Sequence, residues 1–156
     1  ADKPGSLIAT SFRFGSLFAG CTQEELETLT QFGEKIGIAF QLADDIIDIA
    51  SDSHDSGKTP GTDLREGIPT LVTLNALKSN DPADSKLKSL LSGPIKSEDK
   101  VQWVIKELRN HKAMAESRSQ LQQIAKEARA ALGPLSISQT SSALFSLCDL
   151  VIDRVG

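Results

Sequence analysis

Between positions 40 and 48 the chain reads Phe-Gln-Leu-Ala-Asp-Asp-Ile-Ile-Asp, three carboxylates set inside an otherwise apolar run. At about 100° per residue on a helix, Asp44, Asp48, Gln41 and Asp45 fall in that order within an arc of about 100° and form one stripe. Phe32, Ile36, Ala39, Phe40, Ala43, Ile46 and Ile47 cover the far side, and Ile38, Leu42 and Ile49 close the flank. The pattern predicts a helix with little surface in bulk water and a stripe that lines an interior cavity. Buried carboxylates without a partner are strongly unfavourable, so they take up protons or gather around something cationic. Asp oxygens with no His or Cys nearby suit a hard divalent ion such as Mg2+, which keeps several waters and is shared between carboxylates and substrate phosphates. The chemistry implied is that of a phosphorylated substrate. An exposed acidic helix face is the plainer alternative, and the apolar flanks argue against it.

Residues 51–67 are too rich in Gly, Ser, Asp and Pro to continue that helix and predict a mobile loop. The loop carries Lys58 and Arg65, cations placed where they would fold over a metal-bound diphosphate and exclude water. A Lys in such a loop is ordinarily just solvated; its spacing from Asp48 is what gives it a role here.

These segments resemble the C-terminal half of an all-trans polyprenyl diphosphate synthase. The resemblance rests on Gly33-Glu34-Lys35-Ile36-Gly37, then on residues 40–48, which are similar to the family's second aspartate-rich motif. Gly57-Lys58, Gly61-Thr62-Asp63-Leu64-Arg65-Glu66-Gly67 and Pro69-Thr70-Leu71 follow in the family's order, and Lys3 to Thr10 resembles its diphosphate-contacting Lys-Thr segment. The resemblance runs from there to the C-terminus.

What it implies is an all-α helical bundle, a partial isoprenoid synthase fold lacking the N-terminal helices, with residues 1–156 as the C-terminal part of one trans-prenyltransferase domain. The complete enzyme would condense isopentenyl diphosphate with an allylic diphosphate, with Mg2+ as cofactor. By resemblance Asp44 and Asp48 ligate Mg2+, with Asp45 a ligand or a support to one. Gln41 would contact the allylic group or diphosphate, and Lys3 and Lys58 would bind diphosphate oxygens. In the family the final proton goes to the departing diphosphate, consistent with a chain that offers no Ser/His/Asp or Cys/His catalytic set.

The departures are equally specific. No second Asp-Asp-x-x-Asp cluster, nor its longer-spaced variant, occurs in the 156 residues. The first metal motif is missing, together with the arginines that hold isopentenyl diphosphate and the residues that set product length. Pro4 stands where the family usually has Thr, and Ile68 where many members have Lys. The expectation is therefore a chain inactive by itself. The alternative is a non-catalytic helical subunit of a heteromeric prenyl diphosphate synthase.

Apolar residues recurring at three and four positions call for helices throughout. The pattern predicts one over about 5–19, stopped by Gly20, and a second from Thr22, where Glu25 completes a capping box, to about Ala50. Pro69 suits the first turn of a helix running to about Lys78. Residues 79–93 read as a helix with a polar linker, cut by Pro82 and Pro94. Ser97 can cap one long helix with Val101, Val104, Ile105, Leu108, Ala115, Leu121, Ile124, Ala128 and Leu132 on its buried face, stopped at Gly133-Pro134. A last helix covers about 138–154. His54 reads as a solvated loop residue, His111 as a mid-helix surface residue, and Trp103 and Phe145 as packing residues. Asp149 and Asp153 read as ordinary members of the terminal helix.

Composition agrees. A net charge of −4 with dispersed Lys and Arg offers no basic stripe for nucleic acid. Apolar stretches fall short of the roughly 20 residues of a membrane helix, so the expectation is a cytoplasmic protein that meets a membrane surface only transiently, through its product. Cys21 and Cys148 lack metal or redox spacing and read as reduced core or near-core thiols. The partners implied are the two diphosphates and either a homodimer mate or the missing N-terminal half. The start at Ala1, close to a motif, is consistent with an expressed piece, a proteolytic product or a natural subunit.

Overall fold

In a computed structural model of the chain, residues 3–51, 59–135 and 138–155 are described, with side chains from residue 5 onward. Eight α-helices run in order among these: α1 (Lys3–Phe18), α2 (Gln23–Ala50), α3 (Thr62–Glu66), α4 (Leu71–Leu77), α5 (Ser85–Leu91), α6 (Glu98–Asn110), α7 (Lys112–Ala131) and α8 (Gln139–Asp153). A 3-10 turn at Pro82–Asp84 leads into α5, and no strand occurs among the described residues. The all-α expectation holds.

Contacts divide the chain into two compact units, one of Ala1–Ala43 with Gln120–Gly156 and one of Asp44–Ser119. In the first, α1 and α2 meet at small residues. A Cβ on Gly37 would lie 2.6 Å from Gly5 Cα, and one on Gly33 would lie 2.9 Å from Ala9 Cα, so neither position has room for a side chain. Beside that contact the Phe12 and Phe32 rings meet edge to face, 5.1 Å between centroids. Ile36, Ala39, Leu121, Ala128, Leu132, Cys148 and Val151 are buried in this unit. Leu7, Phe14, Leu17 and Phe18 stand exposed on α1.

The second unit buries Ile46, Ile49, Val72, Ala76, Val101, Val104, Ile105 and Leu108. Here α4, α5 and α6 pack on one another. Inside it Asn75 donates to Ser117 Oγ at 3.0 Å, and Ser117 donates to the Ala113 carbonyl at 2.7 Å.

Start signals in the sequence are realised closely. Thr22 N donates to Glu25 Oε2 and Glu25 N to Thr22 Oγ1, the reciprocal box expected at the head of α2. Gly20 follows α1 with φ of 70°, and Ser138 caps α8 through a box with Ser141.

Four expectations are corrected. Residues 51–67 are not all loop: α3 forms at 62–66, held by side chains described below. Thr70, not Pro69, heads α4, because Thr70 and Thr73 satisfy each other's backbone N–H groups. The long helix of residues 98–132 breaks at His111, whose backbone is extended at φ −79° and ψ 145°. That break turns the following face, so Ala113, Met114, Ser117 and Ala125 are buried while Ala115 is exposed. Finally, α2 is not covered all round: Ile38 is 49 % and Phe40 37 % exposed. The Phe40 ring carries the Arg154 guanidinium 4.5 Å from its centroid, a cation held over an aromatic face that still meets solvent.

Candidate functional site: the acidic stripe of α2 and the chain that returns to it

Asp44, Asp45 and Asp48 occupy the last two turns of α2, where the alternating buried positions are Ile46 and Ile49. All three carboxylates and Gln41 are half-buried, so the stripe is partly wet rather than sealed inside apolar packing. Two of the carboxylates are engaged with backbone amides. Asp48 Oδ1 accepts from Thr62 N at 3.1 Å and Oδ2 from Asp63 N at 3.2 Å, while the Asp48 carbonyl accepts from Gly61 N at 2.8 Å. Asp45 Oδ2 accepts from Leu71 N at 3.2 Å. These amides open α3 and α4, and a helix leaves its first N–H groups without intrahelical partners. A carboxylate is the best acceptor for them, since the bond is charge-assisted.

Local sequence makes this approach possible. Gly61 adopts φ of 79°, a left-handed conformation, and a Cβ there would lie 2.8 Å from Ile105 Cδ1 and 2.9 Å from Val101 Cγ1. Only glycine brings the chain in under α6 at that angle.

Two arginines brace the same region. Arg65 donates through Nη1 to the Pro60 carbonyl at 2.7 Å and makes a two-point contact with Glu98, Nη2 to Oε1 at 2.7 Å and Nε to Oε2 at 3.1 Å. That pairing, with a further bond from Gln102, holds the Glu98 carboxyl below its ordinary range. Arg109 donates from Nε to the Ile49 carbonyl at 2.8 Å and from Nη2 to the Ser51 carbonyl at 2.6 Å, closing the open C-terminal carbonyls of α2. Arg109 also lines a cavity of about 620 Å3 with Thr59, Pro60, Gln102, Ile105, Lys106 and Asn110.

Lys58 and His54 lie outside the described residues, and Lys3 opens α1 without its side chain being described. The sequence reading gave Arg65 a substrate role and missed both its brace on Pro60 and the whole contribution of Arg109. No motif announced Arg109, which lies 58 residues from Ser51 in sequence. The Gly-Thr-Asp start of α3 was a readable signal. His111 is likewise not a surface residue: Nε2 sits 3.0 Å from Asp84 Oδ2, and its side chain is 12 % exposed. Trp103 carries Lys86 Nζ 3.9 Å from its ring centroid. Asp149 pairs with Arg129 at 3.0 Å on the surface of α8.

Among the described residues, no three His, Cys, Asp or Glu side chains are grouped to cage an ion. Asp carboxylates are hard oxygen donors, and Mg2+ is ordinarily bound through one or two of them with the remaining positions given to water and substrate phosphate. The described helices include none long and apolar enough to cross a membrane.

A family profile described as polyprenyl synthetase matches residues 1–108. Nonaprenyl diphosphate synthase of Mycobacterium tuberculosis is 43% identical over 155 residues, covering 99% of this chain and 46% of that protein. Octaprenyl diphosphate synthase of Escherichia coli is 29% identical over 153 residues, 98% of this chain and 47% of its own length. Among solved structures, geranylgeranyl pyrophosphate synthase of Corynebacterium glutamicum, complexed with calcium and isoprenyl diphosphate, superimposes with a TM-score of 0.90 at 36% identity, over 99% of this chain and 48% of that one. The chain spans about half the length of the relatives it matches.

Proposed function

The chain belongs to the polyprenyl synthetase family, and from that premise we propose that it is the C-terminal part of a trans-prenyltransferase domain. The complete cytosolic, homodimeric protein would join isopentenyl diphosphate to an allylic diphosphate. The observation that carries this reading is the stripe of Asp44, Asp45 and Asp48 at the end of α2, with the starts of α3 and α4 returning onto it through Thr62, Asp63 and Leu71. The stripe is the part of the chain that would hold a divalent ion, Mg2+ by the hardness of its oxygen donors. Such an ion, when bound, supplies positive charge to a leaving diphosphate. Gln41 would steady the allylic diphosphate on the same helix face, and Lys3 and Lys58 would neutralise diphosphate oxygens.

The chain alone lacks the family's first aspartate-rich motif, so it should not turn over. A second reading is a non-catalytic helical subunit of a heteromeric prenyl diphosphate synthase, completed by a partner chain. One assay addresses both. The chain and its Asp44→Ala variant are given labelled isopentenyl diphosphate, farnesyl diphosphate and Mg2+, with and without a polypeptide that supplies the first motif. The expected result is no product from the chain alone, product from the mixture, and a loss of about two orders of magnitude or more with Asp44→Ala. Product from the chain alone overturns the half-site reading. No product from any mixture that forms a stable complex overturns the assignment of this chain to the catalytic machinery.

A further inference from the structure

Within the acidic stripe two carboxylates hold backbone amides. Asp48 spends both of its oxygens on consecutive amides, Thr62 N and Asp63 N, at 3.1 and 3.2 Å, and its own carbonyl takes Gly61 N at 2.8 Å. Asp45 takes Leu71 N at 3.2 Å. The start of α3 and the start of α4 are therefore both fastened to the last two turns of α2 by side chains that look, in sequence, like metal ligands. The preceding end of the segment is fastened separately, by Arg109 on the carbonyls of Ile49 and Ser51.

We infer that Asp48, with Asp45, is a positioning residue: its carboxylate anchors the chain that returns at Gly61–Asp63 and so sets where α3 and Arg65 lie. The anchor stands on the described geometry, and the Mg2+ readout of its test rests on the function proposed above. Three features support the anchor. Amide donors at a helix start demand an acceptor, and few alternatives are present at α3: Gly61, its N-cap residue, has no side chain to cap with. The left-handed Gly61, tight against Ile105 and Val101, immediately precedes the Thr62 N and Asp63 N that reach Asp48 on α2. And Arg65, one turn into α3, is held at Pro60 and Glu98, so a displacement of the α3 start would be carried to its guanidinium.

An Asn side chain separates the two roles. It keeps an acceptor oxygen for an amide N–H but loses the charge that makes an Asp a ligand for a hard cation. The experiment compares Asp48→Asn, Asp48→Ala, Asp44→Asn and Asp44→Ala in the 156-residue chain. Amide hydrogen exchange is read at Thr62, Asp63 and Leu71, and Mg2+-dependent binding of farnesyl diphosphate is read by calorimetry. Asp48→Ala should speed exchange at Thr62 and Asp63 by about tenfold or more, as expected for losing a bond to a charged acceptor, and Asp48→Asn should restore most of the protection. Neither Asp44 variant should alter exchange at these amides, and both should weaken Mg2+-dependent binding alike, Asn as badly as Ala. Unchanged exchange in a folded Asp48→Ala chain overturns the anchor. So does an Asp48→Asn chain with wild-type exchange whose Mg2+-dependent binding falls as far as in Asp44→Asn, which would make Asp48 a ligand by its charge. Should Asp48→Ala not fold, Asp48→Asn decides by itself, since wild-type exchange with retained binding supports the anchor. Failure of the wild-type chain to bind farnesyl diphosphate at all would count against the proposed function, and the exchange arm would still decide the anchor.

Discussion

His111 Nε2 lies 3.0 Å from Asp84 Oδ2, and this pair stands at the break between α6 and α7. Ala113 N donates to His111 Nδ1 at 3.1 Å, which fixes Nδ1 as an acceptor and leaves Nε2–H to donate to the carboxylate. One imidazole thus links the turn before α5 to the first turn of α7. Its acid partner is held below the ordinary carboxylate range, first by a hydrogen bond from Ser79, then by that from His111, with smaller help from the charge of Lys112.

A depressed native pKa contributes stability that is complete above the unfolded value, about 3.9 for Asp, and is lost as pH falls through the native value. Denaturant midpoints followed downward from about pH 5 should therefore fall more steeply for the wild-type chain than for Asp84→Asn. Parallel curves would remove Asp84 from the acid response.

Glycines on α1 and α2 should respond to alanine with opposite signs. Gly15 lies within α1 with nothing within 4 Å of a Cβ, so Gly15→Ala should stabilise by about 0.5–1 kcal/mol through helix propensity. At Gly37 the added Cβ would meet Gly5 Cα at 2.6 Å, and separating the two backbones should cost about 1–3 kcal/mol despite the same gain in propensity. Thermal melts of the two variants check both signs at once.

Arg65 should matter more than the acid it pairs with. Glu98 is largely solvated, and an exposed ion pair contributes little. The bond from Arg65 to the Pro60 carbonyl is partly buried, and losing a charged donor there should cost about 1.5–3 kcal/mol. Arg65→Ala should lower the melting temperature clearly, whereas Glu98→Ala should leave it close to wild type. Equal losses would show that the guanidinium is held by Glu98 after all.

The two thiols should be distinguishable by reagent. Cys148 is on the buried face of α8 and burial pushes its pKa up, disfavouring the thiolate that reacts, while Cys21 is partly accessible. Titration with an aromatic disulfide should give one prompt equivalent from the native chain and the second only on unfolding. Cys21→Ser should abolish the prompt phase.

The acidic stripe was legible in sequence because helical periodicity places residues four apart on one face whatever surrounds them. Helix starts were legible where a short polar side chain announces them, as at Thr22 and Ser138. What eluded reading were pairings over long separations. Nothing local marks Arg109 as the cap of α2, and nothing in the run from Val101 to Leu132 shows that His111 will leave the helix for Asp84. Asp48 was legible as an acid with a purpose, but its partners, two backbone amides, have no side chains and therefore no sequence signature. The same holds for the closeness of α1 and α2, where glycine meets glycine.

The exposed face of α1 has a consequence for how the chain behaves in bulk. Leu7, Phe14, Leu17 and Phe18 offer apolar surface whose attraction to like surface strengthens on warming, because its origin near room temperature is the entropy of water. Clustering of molecules in a concentrated sample should thus grow as the sample is heated, well before the helices melt, and reverse when it is chilled. Storage on ice would keep this chain dispersed, and turbidity on gentle warming would report a sticky helix rather than an unfolding one.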